Sequence, residues 1–286
     1  MTEVSCLSPA KINLFLHITS KRADGYHNLQ TIFQLLDFYD EIKFNVRQDG
    51  QINRTKGNEN IPAGNDLLIK SARALQEHSN CLLGVDISIN KRIPSGGGLG
   101  GGSSNAATVL LALNTLWQLN LDEKTLLVIG QTLGADVPVF VKGQSSWAEG
   151  IGEILEPMEL PNYYYLVVSI NKHISTAEIF SHKALTMTPV QRKIADFSRL
   201  SDLHNDCLDA AIELESEIQQ ALKHLDSTAN HLDNARMTGT GCCVFVAFEN
   251  EEDALVAKKE LPEHWFGFVA KAINTSPSYN WAVAKR

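Results

Sequence analysis

The sequence feature that most constrains this chain is a glycine loop, Pro94-Ser-Gly-Gly-Gly-Leu-Gly-Gly-Gly-Ser-Ser104. Six of the seven residues from Gly96 to Gly102 are glycine, and such a run is costly because glycine loses the most backbone freedom on folding. Without Cβ atoms, successive N–H groups can converge on an anion. The loop follows a strand-like stretch and precedes an apolar helix-like stretch, and the amides at a helix N-terminus favour phosphate. The loop therefore predicts a phosphate site rather than a flexible linker.

The residues around the glycine run limit the kind of phosphate loop. A Walker A motif needs a lysine between its last glycine and Ser/Thr, and here a serine follows the glycines directly, which excludes that class. The dinucleotide pattern G-x-G-x-x-G is matched by Gly96, Gly98 and Gly101, with Asp122 downstream. In so glycine-rich a stretch the match is nearly automatic, and Asp122 lies at a predicted helix start, where a cap is the better explanation. A nicotinamide-dependent oxidoreductase stays as an alternative.

The charge balance and the cysteines argue against several classes of protein. The 286 residues include 25 Lys or Arg and 33 Asp or Glu, a net charge of −8, whereas a general nucleic-acid binder carries a basic excess. The first residues lack a basic start and an apolar segment, so we expect no signal peptide. Five cysteines without Cys-x-x-C spacing favour reduced thiols. We expect a cytoplasmic protein without membrane or nucleic-acid partners, as a monomer or weak homodimer.

Alternating strand-like and helix-like stretches predict an α+β protein of two domains. Strands are expected at 11–19, 30–38, 41–47, 85–90, 164–170, 243–248 and 267–273. Helices are expected at 66–78, from Ser103 or Ser104 to about 119, and at 122–133, 205–225 and 251–261. The polar stretch 48–64 predicts a loop. Pro157 and Pro161 bracket a domain boundary, which gives domains of 1–156 and 157–286.

The glycine loop and four other segments resemble the GHMP kinases, the superfamily of galactokinase and the homoserine, mevalonate and phosphomevalonate kinases. These segments are Ser8-Pro-Ala-Lys-Ile-Asn-Leu14, Arg22-Ala-Asp-Gly-Tyr-His27, Leu133-Gly-Ala-Asp-Val-Pro-Val-Phe140 and Thr238-Gly-Thr-Gly241. The resemblance spans about residues 8 to 277, in the family's order. It implies a two-domain GHMP kinase fold, with a ribosomal protein S5-like N-terminal domain, a ferredoxin-like C-terminal domain and an active site between them.

Within that superfamily, the first two of these segments resemble the members that act on a cytidine-diphosphate-linked methylerythritol. The implied reaction is ATP-dependent phosphorylation of its 2-hydroxyl, in the non-mevalonate route to isoprenoids. Three alternatives stay open: a GHMP kinase for a small alcohol, the nicotinamide-dependent oxidoreductase, and a non-catalytic nucleotide-binding protein of the same fold. Tyr26 and His27 and the doubled glycine triplet argue against the first alternative.

The resemblance assigns catalysis to Lys11 and Asp136. Asp136 lies after a predicted helix and before a predicted apolar strand. A carboxylate there can take the proton of a substrate hydroxyl or orient it, although by pattern alone a turn aspartate is the simpler interpretation. Lys11 could hold Asp136 ionised or stabilise charge on the transferred phosphoryl. A lone lysine at a strand end is usually solvated, but the family match favours catalysis.

The resemblance also implies a cytosine pocket. Tyr26 and His27 match the family's Tyr-His pair, and Phe180 is the candidate for the phenylalanine on the opposite face of the base. The segment around Phe180 departs from the family's proline-containing version. For Tyr26, core packing is an equally good interpretation of the pattern. The predicted substrate contacts are Asn13, Tyr26, His27, Phe33, Thr176 and Phe180.

ATP is expected along the glycine loop, with Mg²⁺ neutralising the charge of the β- and γ-phosphates. The predicted ATP contacts are Pro94, Ser95, Gly96, Gly97, Gly98, Leu99, Gly100, Gly101, Gly102, Ser103, Ser104, Asn65, Leu67, Gly239 and Gly241. Asn65 and Leu67 open a helix at the edge of the adenine pocket, although helix capping explains Asn65 more simply. No carboxylate pair stands out as metal ligands, so the metal site is left unassigned.

Overall fold

The computed structural model describes residues 3–59, 61–62, 64–189 and 204–285. Within these residues, ten strands form one connected sheet and nine helices cover it. The strands are β1 (Val4–Lys21), β2 (His27–Arg47), β3 (Ile52–Lys56), β4 (Gly84–Asn90), β5 (Ser146–Glu149), β6 (Ile154–Pro157), β7 (Tyr164–Ser169), β8 (Arg236–Met237), β9 (Cys243–Phe248) and β10 (Phe266–Ile273). The helices are α1 (Leu67–Ser79), α2 (Gly101–Leu116), α3 (Glu123–Leu133), α4 (Val137–Lys142), α5 (Thr176–Ser181), α6 (Leu208–Leu214), α7 (Glu217–Asp226), α8 (Glu251–Lys259) and α9 (Pro277–Ala284).

Strand β2 connects the two halves of the sheet. Hydrogen-bonded neighbours follow the order β3-β4-β2-β10-β7-β9-β8, while β1 pairs with β2 and β5 pairs with β2 and β6. The only ladder contact between β2 and β10 within the described residues joins Leu36 to Ala272 and Leu35 to Ile273. The predicted boundary near Pro157 falls between β6 and β7, and the division into domains 1–156 and 157–286 stays a prediction.

The predicted strands lie in the right places, but the two at the centre are longer than the pattern indicates. Strand β2 is continuous through 39–40, where the prediction has a break. The buried carboxylate of Asp40 caused that break in the pattern. It accepts hydrogen bonds from the backbone N–H groups of Arg92 (2.7 Å) and Ile93 (2.9 Å) and from Nζ of Lys91 (2.5 Å). A polar side chain with such partners can be buried within a strand.

Two element predictions are wrong in type. The stretch 48–64, expected to be a loop, contains strand β3, which pairs in parallel with β4. Its sequence Ile-Asn-Arg-Thr-Lys is mostly polar because the strand lies at the sheet edge and is only partly buried. The stretch after Asp136, expected to be a strand, is helix α4. Pro138 stands in its first turn, where proline is tolerated, and Gly143 ends it with a φ of 66°.

Helix positions are confirmed more closely than helix ends. Helix α1 is capped by Asp66 rather than Asn65, and α3 is capped by Asp122 as predicted. Helix α2 begins at Gly101, two residues before the predicted serines, and its N-cap is Gly100 without a side-chain cap. The single helix predicted at 205–225 is two helices, α6 and α7, separated by an extended Glu215.

Three clusters of buried apolar side chains hold these layers together. One lies between helices α1 to α4 and strands β2 and β4, and a second between helices α6 to α8 and strands β7 and β9. The third joins β1 and β2 to β7, β9 and β10, and it contains Ala10, Ile12 and Leu14 of β1. Because side chains alternate along a strand, Lys11 and Asn13 project to the opposite face from these three. A packed core therefore fixes the strand that carries both.

We expect Asp66 to stabilise the fold through two contacts. Its Oδ1 accepts from the N–H of Leu68 (2.9 Å), and its Oδ2 contacts Nη1 of Arg54 (2.6 Å), with Asp66 only 2% exposed. Asp66→Ala should lower the free energy of unfolding by about 2 to 4 kcal/mol, since it removes a cap and leaves a half-buried guanidinium unpaired. Asp66→Asn keeps the cap and should lose less. Urea denaturation measures both, and equal losses would contradict a contribution from the cap.

Candidate active site

Two cavities meet along the glycine loop. The larger has a volume of about 890 Å³ and lies between the middle and end of β1, the turn before β2, helix α5 and the segment 239–241. The smaller, of about 360 Å³, lies between the glycine loop and the start of α1. Gly96, Gly98 and Ser103 line both cavities. The loop therefore separates two binding spaces and is accessible from each.

The glycines of the loop are required by packing within the protein. Gly98 has a φ of 76°, and a Cβ there would overlap the carbonyl oxygen of Thr238. Gly100 has a φ of 68°, and a Cβ there would lie 2.8 Å from the Phe140 ring and 3.1 Å from Cε of Lys11. Both backbone conformations are ones that only glycine adopts readily. The loop is thus held against the lysine and the Thr238 segment.

The loop leads directly into the N-terminus of α2. The first N–H groups of a helix have no acceptor within the helix, and Gly100 provides no side-chain cap for them. Together with the helix dipole they form a local positive region. Ser103 stands in this turn and lines both cavities, while Ser104 is buried behind it and accepts a hydrogen bond from Oγ of Ser8 (2.7 Å). This geometry suits a phosphate at the helix start.

Lys11 is a buried ammonium on the wall of the larger cavity. It is 2% exposed, and its Nζ lies 3.3 Å from Oδ2 of Asp136, 2.5 Å from Oδ1 of Asn13 and 5.1 Å from the centre of the Phe33 ring. A buried charge needs such partners. The interpretation of Lys11 as a solvated strand-end lysine is therefore wrong. Asp136, about one third exposed, points a carboxylate oxygen into the larger cavity.

Asp136 is positioned by the short connection between α3 and α4. It occupies the N-cap position of α4, yet its side chain makes no capping hydrogen bond. Its carboxylate faces Lys11 instead. The simple turn interpretation therefore does not account for the direction of this side chain. Lys11 and Asn13 lie two residues apart on β1, and the α3–α4 connection brings Asp136, which is distant in sequence, into one cluster with them.

A hydrogen-bond network ties this cluster to the glycine loop. The backbone N–H of Lys11 donates to the carbonyl of Leu99 (3.0 Å), and that of Asn13 donates to Oγ1 of Thr238 (2.9 Å). The same hydroxyl donates to the carbonyl of Gly98 (3.1 Å). Asn205, which the sequence reasoning missed, donates from Nδ2 to the carbonyls of Met237 (2.9 Å) and Gly239 (2.8 Å). One network thus fixes β1, the loop and the segment 237–239.

The other end of the larger cavity carries the predicted aromatic residues. Tyr26 is 60% exposed, so the alternative interpretation as a core residue is wrong. The rings of His27 and Phe180 are stacked with centroids 5.2 Å apart. The hydroxyls of Thr176 and Thr240 lie 3.1 Å apart. Partial burial and the charge of Lys21 hold the pKa of His27 below its ordinary value, which favours a neutral imidazole at pH 7.

The structure distributes the predicted site residues between the two cavities. The larger is lined by Lys11, Asn13, Tyr26, His27, Phe33, Asp136, Thr176, Phe180, Gly239 and Gly241. The smaller is lined by Asn65, Leu67 and the loop from Pro94 to Ser103. Ser104 lines neither. Gly239 and Gly241, expected beside ATP, lie on the wall of the larger cavity.

Several lining residues escaped the sequence reasoning. His173 packs against Gly96, so that a Cβ on this glycine would overlap its ring. Asn105 is 2% exposed and lines the smaller cavity, and its Oδ1 has no hydrogen-bond partner among the described residues. Lys21 and Thr240 line the larger cavity. A polar residue immediately after a glycine loop is a usable signal for Asn105, whereas His173 reaches the loop only through the tertiary fold.

In the part of the chain that the structure describes, no group of three or more His, Cys, Asp or Glu side chains could hold a metal ion. Among the same residues, no helix has both the length and the apolar character needed to cross a membrane. The site consists of a glycine loop, a buried lysine paired with Asp136, and an aromatic wall.

Comparison with known proteins agrees with this site and gives its class. The family model described as the GHMP kinases N terminal domain matches residues 66–144, which include α1, the glycine loop and Asp136. The class is therefore that of small-molecule kinases that use ATP, and the dinucleotide-binding alternative is wrong. The α+β GHMP kinase fold predicted from the sequence is confirmed.

Full-length relatives define the family more closely. A 4-diphosphocytidyl-2-C-methyl-D-erythritol kinase of Ruthia magnifica subsp. Calyptogena magnifica is 61% identical over 280 residues, 98% of each chain. One of Vesicomyosocius okutanii subsp. Calyptogena okutanii is 58% identical over the same shares. A crystal structure of 4-(cytidine 5'-diphospho)-2C-methyl-D-erythritol kinase superposes with a TM-score of 0.78 at 28% identity, covering 94% of this chain and 99% of the other. The chain belongs to the 4-diphosphocytidyl-2-C-methyl-D-erythritol kinase family.

The Thr238 hydroxyl should be essential to the network that fixes the loop. Thr238→Val keeps the shape but removes the acceptor for the buried N–H of Asn13 and the donor to Gly98. We expect the free energy of unfolding to fall by about 1 to 3 kcal/mol, the cost of buried polar groups left without partners. Thr238→Ser, which keeps the hydroxyl, is the matched control and should lose less. Urea denaturation of the three proteins measures the difference, and equal stability of Thr238→Val and the parent would contradict the network.

Proposed function

We propose that this protein transfers the γ-phosphoryl group of ATP to the 2-hydroxyl of 4-diphosphocytidyl-2-C-methyl-D-erythritol. The products are the 2-phosphate and ADP, and the reaction belongs to the non-mevalonate route to isoprenoid precursors. The observation that carries the proposal is the pairing of the buried Lys11 with the partly exposed Asp136, which faces a cavity directly beside the glycine loop. The full-length similarity to kinases of that name supports the choice of acceptor.

Each of the two substrates binds in its own cavity. The smaller, with Asn65 and Leu67 at its edge, takes the nucleoside part of ATP, and its phosphates extend along the glycine loop to the start of α2. The larger takes the acceptor, because it contains the Lys11–Asp136 pair at one end and the ring of Tyr26 at the other. The two substrates then meet at Gly96, Gly98 and Ser103, which line both cavities.

The chemical step joins the acceptor oxygen to the γ-phosphorus while the bond from that phosphorus to the β–γ bridging oxygen breaks, and ADP leaves. Asp136 takes the proton of the 2-hydroxyl or orients it toward the phosphorus. The ammonium of Lys11 compensates the carboxylate charge and attracts the negative charge of the transferred group. Asn13 holds the ammonium in place through its Oδ1. Little else is required of the protein, since phosphoryl transfer depends mainly on positioning and electrostatics.

The cytosine end of the acceptor is assigned to the aromatic wall. Tyr26 presents an exposed ring face, and the neutral imidazole of His27 can both donate and accept a hydrogen bond at a base edge. Phe180 stacks on His27 and fixes its orientation. Thr176 and Thr240 add hydroxyl groups on the α5 side, and Phe33 closes the floor beneath Lys11.

Mg²⁺ is part of the proposal as the ion that neutralises phosphate charge when ATP is bound. The glycine loop leaves room for a phosphate chain, and the described residues include no cluster of three metal-ligating side chains. We therefore assign the ion no protein ligand set, and phosphate oxygens and water would supply most of its coordination. The cytoplasmic location, the lack of membrane and nucleic-acid partners, and the state as a monomer or weak homodimer stay predictions from the sequence.

Release of ADP with three acceptors tests the function. The protein, ATP and Mg²⁺ are incubated with 4-diphosphocytidyl-2-C-methyl-D-erythritol, with mevalonate and with homoserine. We expect turnover with the cytidyl-linked acceptor only, because the other two lack a base to occupy the aromatic wall. Turnover only with mevalonate or homoserine would show that the acceptor is wrong. No turnover with any of them would remove the proposed activity.

Substitution of the charged pair tests the mechanism. Asp136→Asn and Lys11→Ala should each lower kcat by at least about a hundredfold, the scale of a lost acid–base or electrostatic group. Steady-state kinetics with the cytidyl-linked acceptor measures the effect. Because Lys11→Ala leaves a buried space, Lys11→Met is made in parallel to keep its volume. Rates near those of the parent in a folded variant would exclude that residue from the chemical step.

A further inference from the structure

The larger cavity contains a second ammonium group that the mechanism does not use. Lys21 is the last residue of β1, and it pairs across the ladder with His27, the first residue of β2. Side chains of cross-strand partners project to the same face of a sheet, and both residues line the larger cavity. Lys21 is exposed. Its ammonium therefore lies beside the wall assigned to the base.

Among the described residues that line this cavity, the lysine and arginine side chains are Lys11 and Lys21. Lys11 is buried and already engaged with Asp136 and Asn13. Arg22, the next residue along, turns its guanidinium to the carboxylate of Asp24, with Nε and Nη2 3.0 and 2.8 Å from Oδ2. No carboxylate of the described residues forms an ion pair with Lys21. Its charge is therefore available to a ligand.

An acceptor joined to cytidine through a diphosphate brings at least two negative charges into this space. The diphosphate lies between the base and the hydroxyl that is phosphorylated. Its charges are therefore expected in the part of the cavity between Tyr26 and Lys11. Two carboxylates, Asp24 and Asp136, also line the cavity and would repel an anion there. Neutral donors of the wall, such as the hydroxyls of Thr176 and Thr240, could hydrogen-bond the diphosphate but would not offset its charge.

We propose that Lys21 is a binding residue for the diphosphate of the acceptor. This inference rests on the proposed function and adds a specificity determinant to it: the site selects nucleoside diphosphate esters over nucleosides. The lowered pKa of His27, to which the charge of Lys21 contributes, supports the closeness of the two side chains. The lowered pKa also keeps the imidazole neutral, so that His27 can hydrogen-bond the base while Lys21 binds the diphosphate.

Calorimetric titration with cytidine and with cytidine 5′-diphosphate tests the inference. The proteins compared are the parent, Lys21→Gln, Lys21→Arg and Lys223→Gln, an exposed lysine on α7 that controls for net charge. Lys21→Gln should weaken binding of cytidine 5′-diphosphate by about tenfold, the scale of one charge-assisted hydrogen bond. It should leave the affinity for cytidine unchanged. Lys21→Arg should stay within about threefold of the parent, and Lys223→Gln should match it.

Kinetics and NMR titration provide independent readouts. Because the contact with the diphosphate is the same in the ground and transition states, Lys21→Gln should raise KM for the acceptor and leave kcat unchanged. Removal of the positive charge should also raise the pKa of His27. An unchanged pKa would overturn the proximity on which the inference depends.

Other outcomes separate failure of the inference from failure of the proposed function. Equal loss of affinity for cytidine and for cytidine 5′-diphosphate in Lys21→Gln would overturn the inference, because Lys21 would then shape the base site. Unchanged affinity for cytidine 5′-diphosphate would also overturn it and would leave the kinase assignment standing. If the parent bound neither ligand, the cytidyl acceptor and the role of Lys21 would both be wrong.

Discussion

The buried ammonium of Lys11 is the interaction on which the rest of the site depends. A charge removed from water is tolerated only beside an opposite charge and polar groups that replace its hydration. Asp136 and Asn13 supply these partners, one from the α3–α4 connection and one from the same strand. The glycine loop must then pass within van der Waals distance of the lysine side chain, which Gly100 permits. The Lys11–Asp136 pair and the glycine loop are therefore one structural unit.

The contact between the glycine loop and Lys11 gives a second reason for the run of glycines. From the sequence, the glycines predict an anion site, because they let N–H groups converge on a phosphate. In the structure, Gly98 and Gly100 are also required by Thr238, Phe140 and Lys11, whose atoms occupy the space of a Cβ. The predicted phosphate site and the internal packing therefore both require glycine at these positions. A Cβ at Gly100 would lie 3.1 Å from Cε of Lys11, so a larger residue at this position would press on the lysine side chain.

The sequence predicted most of the fold, and it named residues that the structure brings together around one cavity, because both leave local signals. Apolar periodicity located most helices and strands, and motif resemblance located Lys11, Asp136 and Tyr26. What it could not predict depends on contacts between distant segments. Strand β3 is mostly polar because it lies at the sheet edge, and Asp40 interrupts an apolar pattern although it is buried. Asn205 supports the segment 237–239 through hydrogen bonds that span more than 30 residues, and no local pattern marks it.

The two lysines of the larger cavity differ in burial, and therefore in the electrostatic role proposed for each. Lys11 is held by Asp136 and Asn13, so its charge is fixed in position, as the role proposed for it in phosphoryl transfer requires. Lys21 is exposed, and solvent and salt screen its charge, which suits a contact that must form and break in each catalytic cycle. The chain has a net charge of −8, so each phosphorylated substrate needs a local positive region at which to bind. In the proposed function, the start of α2 provides one for ATP, and Lys21 provides a separate one for the acceptor. In that arrangement two anions can be held close together without competing for the same cation.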